Sequence, residues 1–201
     1  MSQPAEAVPK PLGLRERGKQ RRTKRILDAA LQLLREDPEQ NLTLERIAER
    51  AEVAPMTVYN LVGTRDQIWT KLVDRMLGGI DLRSITAPDP QERARRIVDA
   101  YVRVLRTDAP VFTALLSGWS ASGRVLHDDP TRALIECLQE AADAGDLSPG
   151  IDVRRHGEVM AAGLLGTIHQ WTAGVLSDRA FGARARAVVD IVFAAARSGD
   201  A

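Results

Sequence analysis

The chain has 201 residues, 44% of them hydrophobic, enough to bury the core of one fair-sized domain or of a small domain fused to a larger one. Its single cysteine, Cys137, excludes an intramolecular disulfide and gives no sign of an oxidising compartment. The start, MSQPAEAVPKPLG, lacks an apolar signal core, and no apolar run approaches the roughly 20 residues of a membrane span, so a soluble, cytoplasmic protein without membrane contact is expected. The net charge of +1 conceals an uneven distribution: eight basic residues stand between Lys10 and Arg25 against one acid, Glu16. Such a run suits either a polyanion or a plain solvated helix face.

Residues 1–14, rich in Pro, Ala and Gly, are expected to be a disordered tail. From about Gly18 a helix is predicted, with Ile26, Ala30, Leu33 and Leu34 at helical spacing, ending before Asp37-Pro38. A second follows Thr43, a predicted N-cap, with Leu44, Ile47, Ala48 and Ala51 on one face. A third starts with Pro55 as its first helical residue. At 100° per residue Val58, Leu61 and Val62 share one side of it, Met56 and Asn60 point away, and Thr57 and Tyr59 flank. A fourth is predicted after Thr64, running to Gly78-Gly79. Longer helices are predicted over 91–107, 110–121, 130–145, 152–177 and 179–197, with Asp128-Asp129 as a start cap for the third of these. No stretch alternates with period two, so the fold expected is all-α, about nine helices.

Only Glu52, Val53 and Ala54 separate the second helix from the third, the spacing of a helix-turn-helix. In that motif two helices hold the third from behind, and the third reads bases in the major groove. The apolar side of the third helix is then the held side. The basic run places Arg21 and Arg22 at the start of the preceding helix, within reach of phosphates, where contacts are salt-dependent.

The stretch LTLERIAERAEVAPMTVYNLVGTRDQI resembles the N-terminal signature of the TetR family of bacterial transcription regulators in residue type, order and spacing: Thr43, Ile47-Ala48, Val53 and Thr57-Val58-Tyr59 stand where that pattern has them. Three positions depart from it, with Glu52 where the family usually has Gly, Val62 where it often has Phe and Arg65 where it often has Lys. If the backbone at Glu52 is left-handed, the side chain costs about 1 kcal/mol. The resemblance implies a helix-turn-helix domain over 15–66 and a larger helical domain over 67–201 that dimerises and binds an effector. It also implies phosphate contacts from Thr43, Thr57, Tyr59 and Arg65. The resemblance further implies that Pro55, Met56 and Asn60 reach the bases, Asn suiting adenine and Met a thymine methyl, with a merely exposed side chain as the alternative for Met56.

For the second domain the resemblance implies a homodimer on a double-stranded operator and an unknown small-molecule effector. Ala161, Ala162 and Leu165 in VMAAGLLG, with Val188, Val189, Val192 and Phe193, are the candidate dimer interface; an intramolecular core is the alternative. Tyr101, Phe112, Leu116, Trp119, Cys137, Met160, Leu164, His169 and Trp171 are candidate walls of an apolar pocket, each alternatively plain core. The function expected is a repressor that a small, mostly apolar ligand releases from its operator. The alternative is a dimeric regulator controlled by a protein partner. An enzyme is disfavoured: His127, His156 and His169 lack zinc-site spacing, and no nucleophile elbow or phosphate-binding glycine loop is present. No cofactor or metal is expected.

Overall fold

The computed structural model describes residues 13–38, 42–117 and 130–199, which contain nine α-helices and no strand. Helix α1 (Leu14–Glu36) begins four residues before the predicted start, because its polar first turns carry no apolar repeat to mark them. Its second half buries Ile26, Ala30, Leu33 and Leu34. Helix α2 (Leu44–Arg50) starts where Thr43 Oγ1 accepts from the Arg46 N–H at 3.3 Å, the predicted cap. Helices α3 (Pro55–Val62) and α4 (Arg65–Leu77) follow, and α1, α2 and α3 pack on one another around Ile47, Ala48, Val58 and Val62.

Helices α5 (Pro90–Thr107), α7 (Pro130–Asp143), α8 (Val153–Thr172) and α9 (Asp178–Ser198) pack into a four-helix body around Ile97, Leu134, Leu138, Met160, Phe181 and Phe193. Helix α6 (Ala109–Ser117) leans on α1 and α8, and α4 reaches both α5 and α6, so the two halves share one continuous core. Asp152, the predicted start of α8, caps it by accepting from the Arg155 N–H at 3.0 Å. That helix ends five residues short of the predicted 177, where the Val175 N–H turns back to the Gln170 carbonyl. The predicted last turn of α6 and the Asp128-Asp129 cap lie outside the described residues. Among the described residues no helix is long and apolar enough to cross a membrane.

The small residues of VMAAGLLG bring two helices of one chain together. A Cβ on Gly163 would stand 2.9 Å from Val188 Cγ1, so this glycine sets the distance between α8 and α9. Of the candidate dimer residues, Val189, Val192 and Phe193 are buried in the chain's own core and offer a partner no surface, which corrects that expectation. The reason is that an apolar stripe reports burial without reporting whose atoms bury it. Ala161 and Val188 are half-buried, while Ala162 and Leu165 are exposed. Large apolar side chains open to solvent on α8 and α9 are Val159, Leu165 and Ile191.

Candidate nucleic-acid interface

The third helix is two turns long and cannot stand alone in water, so its neighbours must fix it. Val58 and Val62 are fully buried and Leu61 is half-buried, which anchors the side predicted to be held. Met56 is 65% and Tyr59 51% exposed, Pro55 and Asn60 are exposed, and Thr57 lies at the edge.

The turn before α3 is closed by two backbone bonds. The Glu52 N–H donates to the Glu49 carbonyl at 3.1 Å and the Val53 N–H to the Ala48 carbonyl at 3.0 Å. This closing pattern requires a left-handed residue between them, and glycine usually supplies it. Here Glu52 adopts it at φ 51°, the single described non-glycine residue with positive φ. The strain anticipated at this position is therefore present, about 1 kcal/mol. The half-buried Val53 packs on the core, and Arg25 Nη2 reaches the Glu52 carbonyl at 3.5 Å.

Beyond α3 the chain turns again at Gly63, φ 99° and ψ −154°, a conformation almost restricted to glycine. A Cβ there would fall 1.8 Å from Gln67 Oε1. That oxygen accepts from the Thr64 N–H at 2.9 Å, while Thr64 Oγ1 accepts from the Gln67 N–H at 3.4 Å, a reciprocal cap on α4. Lys71 Nζ donates to the Val62 carbonyl at 2.7 Å and so closes the end of α3 from α4. Arg50 clasps Glu36 with two bonds of 2.7 and 2.6 Å, joining α2 to α1, and Arg75 joins α4 to Asp28 and to the Lys24 carbonyl. The Arg50 guanidinium holds the Glu36 carboxyl below its ordinary range.

Arg21, Arg22, Thr43 and Arg65 are exposed, and Arg65 lies over the Trp69 ring at 5.8 Å. Thr43 spends an oxygen lone pair on its cap, which leaves its hydroxyl proton to donate elsewhere. The exposed side of α3 and the basic start of α1 thus belong to one three-helix head.

In the body, a small, partly open apolar cavity of about 50 Å³ lies among Val98, Tyr101, Val102, Leu105, Pro130, Leu164, Ile168, Phe181 and Ala185. Two of the nine candidate pocket residues, Tyr101 and Leu164, line it. Trp171 stands one layer behind, stacked on Phe181 at 4.7 Å and donating from Nε1 to Asp178 Oδ1 at 2.9 Å. Phe112, Leu116, Cys137 and Met160 are buried outside this lining, His169 is half-buried on α8, and Trp119 lies outside the described residues. Burial pushes the Cys137 thiol up to about 11 against the opposing pull of Arg93, so it is a neutral core residue at neutral pH. Seven lining residues, Val98, Val102, Leu105 and Ile168 among them, were not singled out by sequence, because nothing in an apolar helix face marks a void.

Residues 26–68 match the family described as bacterial regulatory proteins, tetR family. The HTH-type transcriptional regulator BetI of Paraburkholderia phytofirmans is 26% identical over 185 residues, covering 87% of this chain and 90% of that one. Among solved structures, RolR in complex with resorcinol superposes with a TM-score of 0.62 at 21% identity, over 90% of this chain and 94% of that one. FadR of Bacillus subtilis in complex with stearoyl-CoA gives 0.59 at 19% identity, over 85% and 97%. These two likenesses establish the shared fold.

Proposed function

Taking as premise that this chain is a DNA-binding transcriptional regulator of the TetR family, we propose that it is a dimeric repressor released from its operator by a small apolar ligand. The observation that carries the DNA half is the two-faced α3, apolar towards α1 and α2 and open at Pro55, Met56, Tyr59 and Asn60. On this reading Arg21, Arg22, Thr43, Thr57, Tyr59 and Arg65 bind phosphates, and Pro55, Met56 and Asn60 meet base edges. A single two-turn reader holds few bases, so two heads joined through α8 and α9 give the affinity. Val159, Ala162, Leu165 and Ile191 are the residues open to such a contact.

The apolar cavity supports the ligand half. At about 50 Å³ it is well below the roughly 300 Å³ of a typical ligand pocket, so a ligand must bind an expanded arrangement of α5, α8 and α9. A ligand that prefers the expanded state shifts the population away from the compact one, and one that binds both equally shifts nothing. RolR with resorcinol and FadR with stearoyl-CoA are fold relatives that hold small aromatic and acyl ligands in turn. The small volume also favours a second reading, in which the body serves dimerisation and a protein partner alone.

Incubating the protein with fragmented genomic DNA and sequencing what it retains tests the first half. An inverted-repeat site bound with steep salt dependence is expected. No enrichment over bulk DNA, before and after unfolding and refolding to strip any ligand, overturns it. On the recovered site Asn60→Ala should cost about 1–3 kcal/mol and relax base preference at one position. Tyr59→Phe should weaken all sequences alike. For the second half, Ala185→Val fills the cavity and should raise stability by up to about 1 kcal/mol while blunting release by phenolic or acyl compounds; release unchanged in this variant places the ligand elsewhere in the body, and a parent that no such compound releases points to the partner-controlled reading.

A further inference from the structure

Helix α1 runs well past the core it serves. Residues 14–25 are exposed apart from the half-exposed Gly18 and Thr23, and the first buried side chain of α1 is Ile26. This stretch carries Arg15, Arg17, Lys19, Arg21, Arg22, Lys24 and Arg25 against Glu16. Among the described residues the side chains of Arg15, Arg17, Lys19, Arg21, Arg22 and Lys24 form no salt bridge. The family-model match begins at residue 26, so the stretch lies outside that segment.

We infer that residues 14–25 form a second, sequence-independent DNA-binding element, a basic helical arm that follows the phosphates flanking the site read by α3. The inference rests on the DNA-binding reading above and extends it to Arg15, Arg17 and Lys19. Twelve helical residues span about 18 Å, the length of about five base pairs at ~3.4 Å each. The inner end of the arm is fixed beside the reading helix, since Arg25 Nη2 meets the carbonyl of Glu52 in the turn that leads into α3. Duplex DNA seated on α3 therefore continues past the arm. The charges surround the helix instead of lining one side, and Leu14 is the only large apolar residue among them. A bilayer-surface helix needs an apolar face to insert, and a protein partner needs an apolar anchor; phosphate needs neither. Free of DNA, like charges and the lack of packing leave the arm a marginal helix, and neutralisation by phosphate stabilises it.

The test is the full-length chain against R15Q/R17Q/K19Q, whose substitutions are all exposed and should leave the melting temperature unchanged. Binding to a random-sequence 30-base-pair duplex is titrated with salt. Each lost phosphate contact lowers the slope of log K against log salt by about 0.9, so a decrease of about 2–3 is expected. Affinity at about 100 mM salt should fall about tenfold or more, by the same factor on random DNA and on the operator. A variant slope equal to that of the parent overturns the arm while leaving the reading of α3 intact. A loss confined to the operator also overturns it, because the arm would then be reading bases. Binding of the parent to phosphatidylglycerol vesicles, lost in the variant with the DNA slope unchanged, assigns the arm to membranes instead. A parent chain that ignores duplex DNA altogether brings down both the arm and the DNA-binding reading.

Discussion

The polar bonds that shape α2, its turn and the start of α4 run over three to five positions of sequence, whereas those that tie α5 to α9 span 87 to 106. In the head, Thr43, the closed turn at Glu52 and the Thr64–Gln67 cap each fix a backbone direction from within their own segment. In the body, Gln91 donates to Asp190 at 2.9 Å, Arg95 to the same oxygen at 2.7 Å and Arg197 to Gln91 Oε1 at 2.7 Å, while Arg186 grips Asp99 with two bonds of 2.6 and 2.8 Å. None of these can form before the body has folded. The turns on either side of α3 are thus set locally, with Arg50–Glu36 and Arg75–Asp28 tying the helices of the head together, and the packing of the body is set by more distant pairs. A change in one half should leave a different mark from a change in the other.

The most severe way to break that division is Gly63→Ala. The methyl group forces Gln67 out of its cap and puts a substituted residue in a glycine conformation, a cost of about 2–4 kcal/mol. Urea denaturation should show the loss, and DNA binding should fall further than global stability accounts for, because α3 and α4 lose their mutual angle. A variant that binds DNA as the parent does would show that the local caps are dispensable.

A smaller effect is expected in the body from Asp190→Asn. Burial raises the Asp190 carboxyl, but hydrogen bonds from Arg95 and Gln91 outweigh it and hold the group below its ordinary value. The ionised form therefore stabilises the folded chain above the unfolded carboxylate value of about 3.9, and this contribution is lost as pH falls through the lower folded value. The melting temperature of Asp190→Asn should lie below that of the parent at neutral pH, and the two should converge below about pH 4. A gap that does not narrow as pH falls below about 4 would show that packing, not charge, accounts for it. Operator specificity should not change at neutral pH.

The smallest effect, and the one that sharpens the comparison, is Glu52→Gly. Removing the side chain relieves about 1 kcal/mol of left-handed strain and returns roughly half of it through the freer unfolded chain. A gain of about 0.5 kcal/mol in thermal or urea melts is expected. A loss would mean that the Glu52 side chain contributes something its backbone geometry does not reveal.

The same difference in range explains what could be read from the sequence. Thr43, Pro55, Asp152 and the inward side of α3 were legible because a cap or a two-turn helix is determined by residues a few positions away. The start of α1 was misplaced because Leu14–Arg25 has no apolar repeat, and charge alone does not delimit a helix. In the body, residue type told burial from exposure and no more. Phe112, Cys137 and Met160 are core rather than cavity wall, and Val189, Val192 and Phe193 face inward, because both outcomes demand the same apolar side chains. Only the neighbours across the helix bundle decide between them, and those lie on other helices, beyond the reach of any local pattern.

Arg35, in the last turn of α1, holds Asp108 at 2.6 Å at the junction of α5 and α6, just beyond the cavity residue Leu105. From that end α1 extends for 23 residues, a rod of about 34 Å. Rotating the rod by about 5° about its Asp108 end carries its far tip through about 3 Å. A hydrogen bond tolerates only a few tenths of an ångström. A shift at Asp108 too slight to disturb the packing of the body therefore suffices, at the far end of this lever, to move the guanidinium groups proposed to meet phosphate by more than such a bond tolerates.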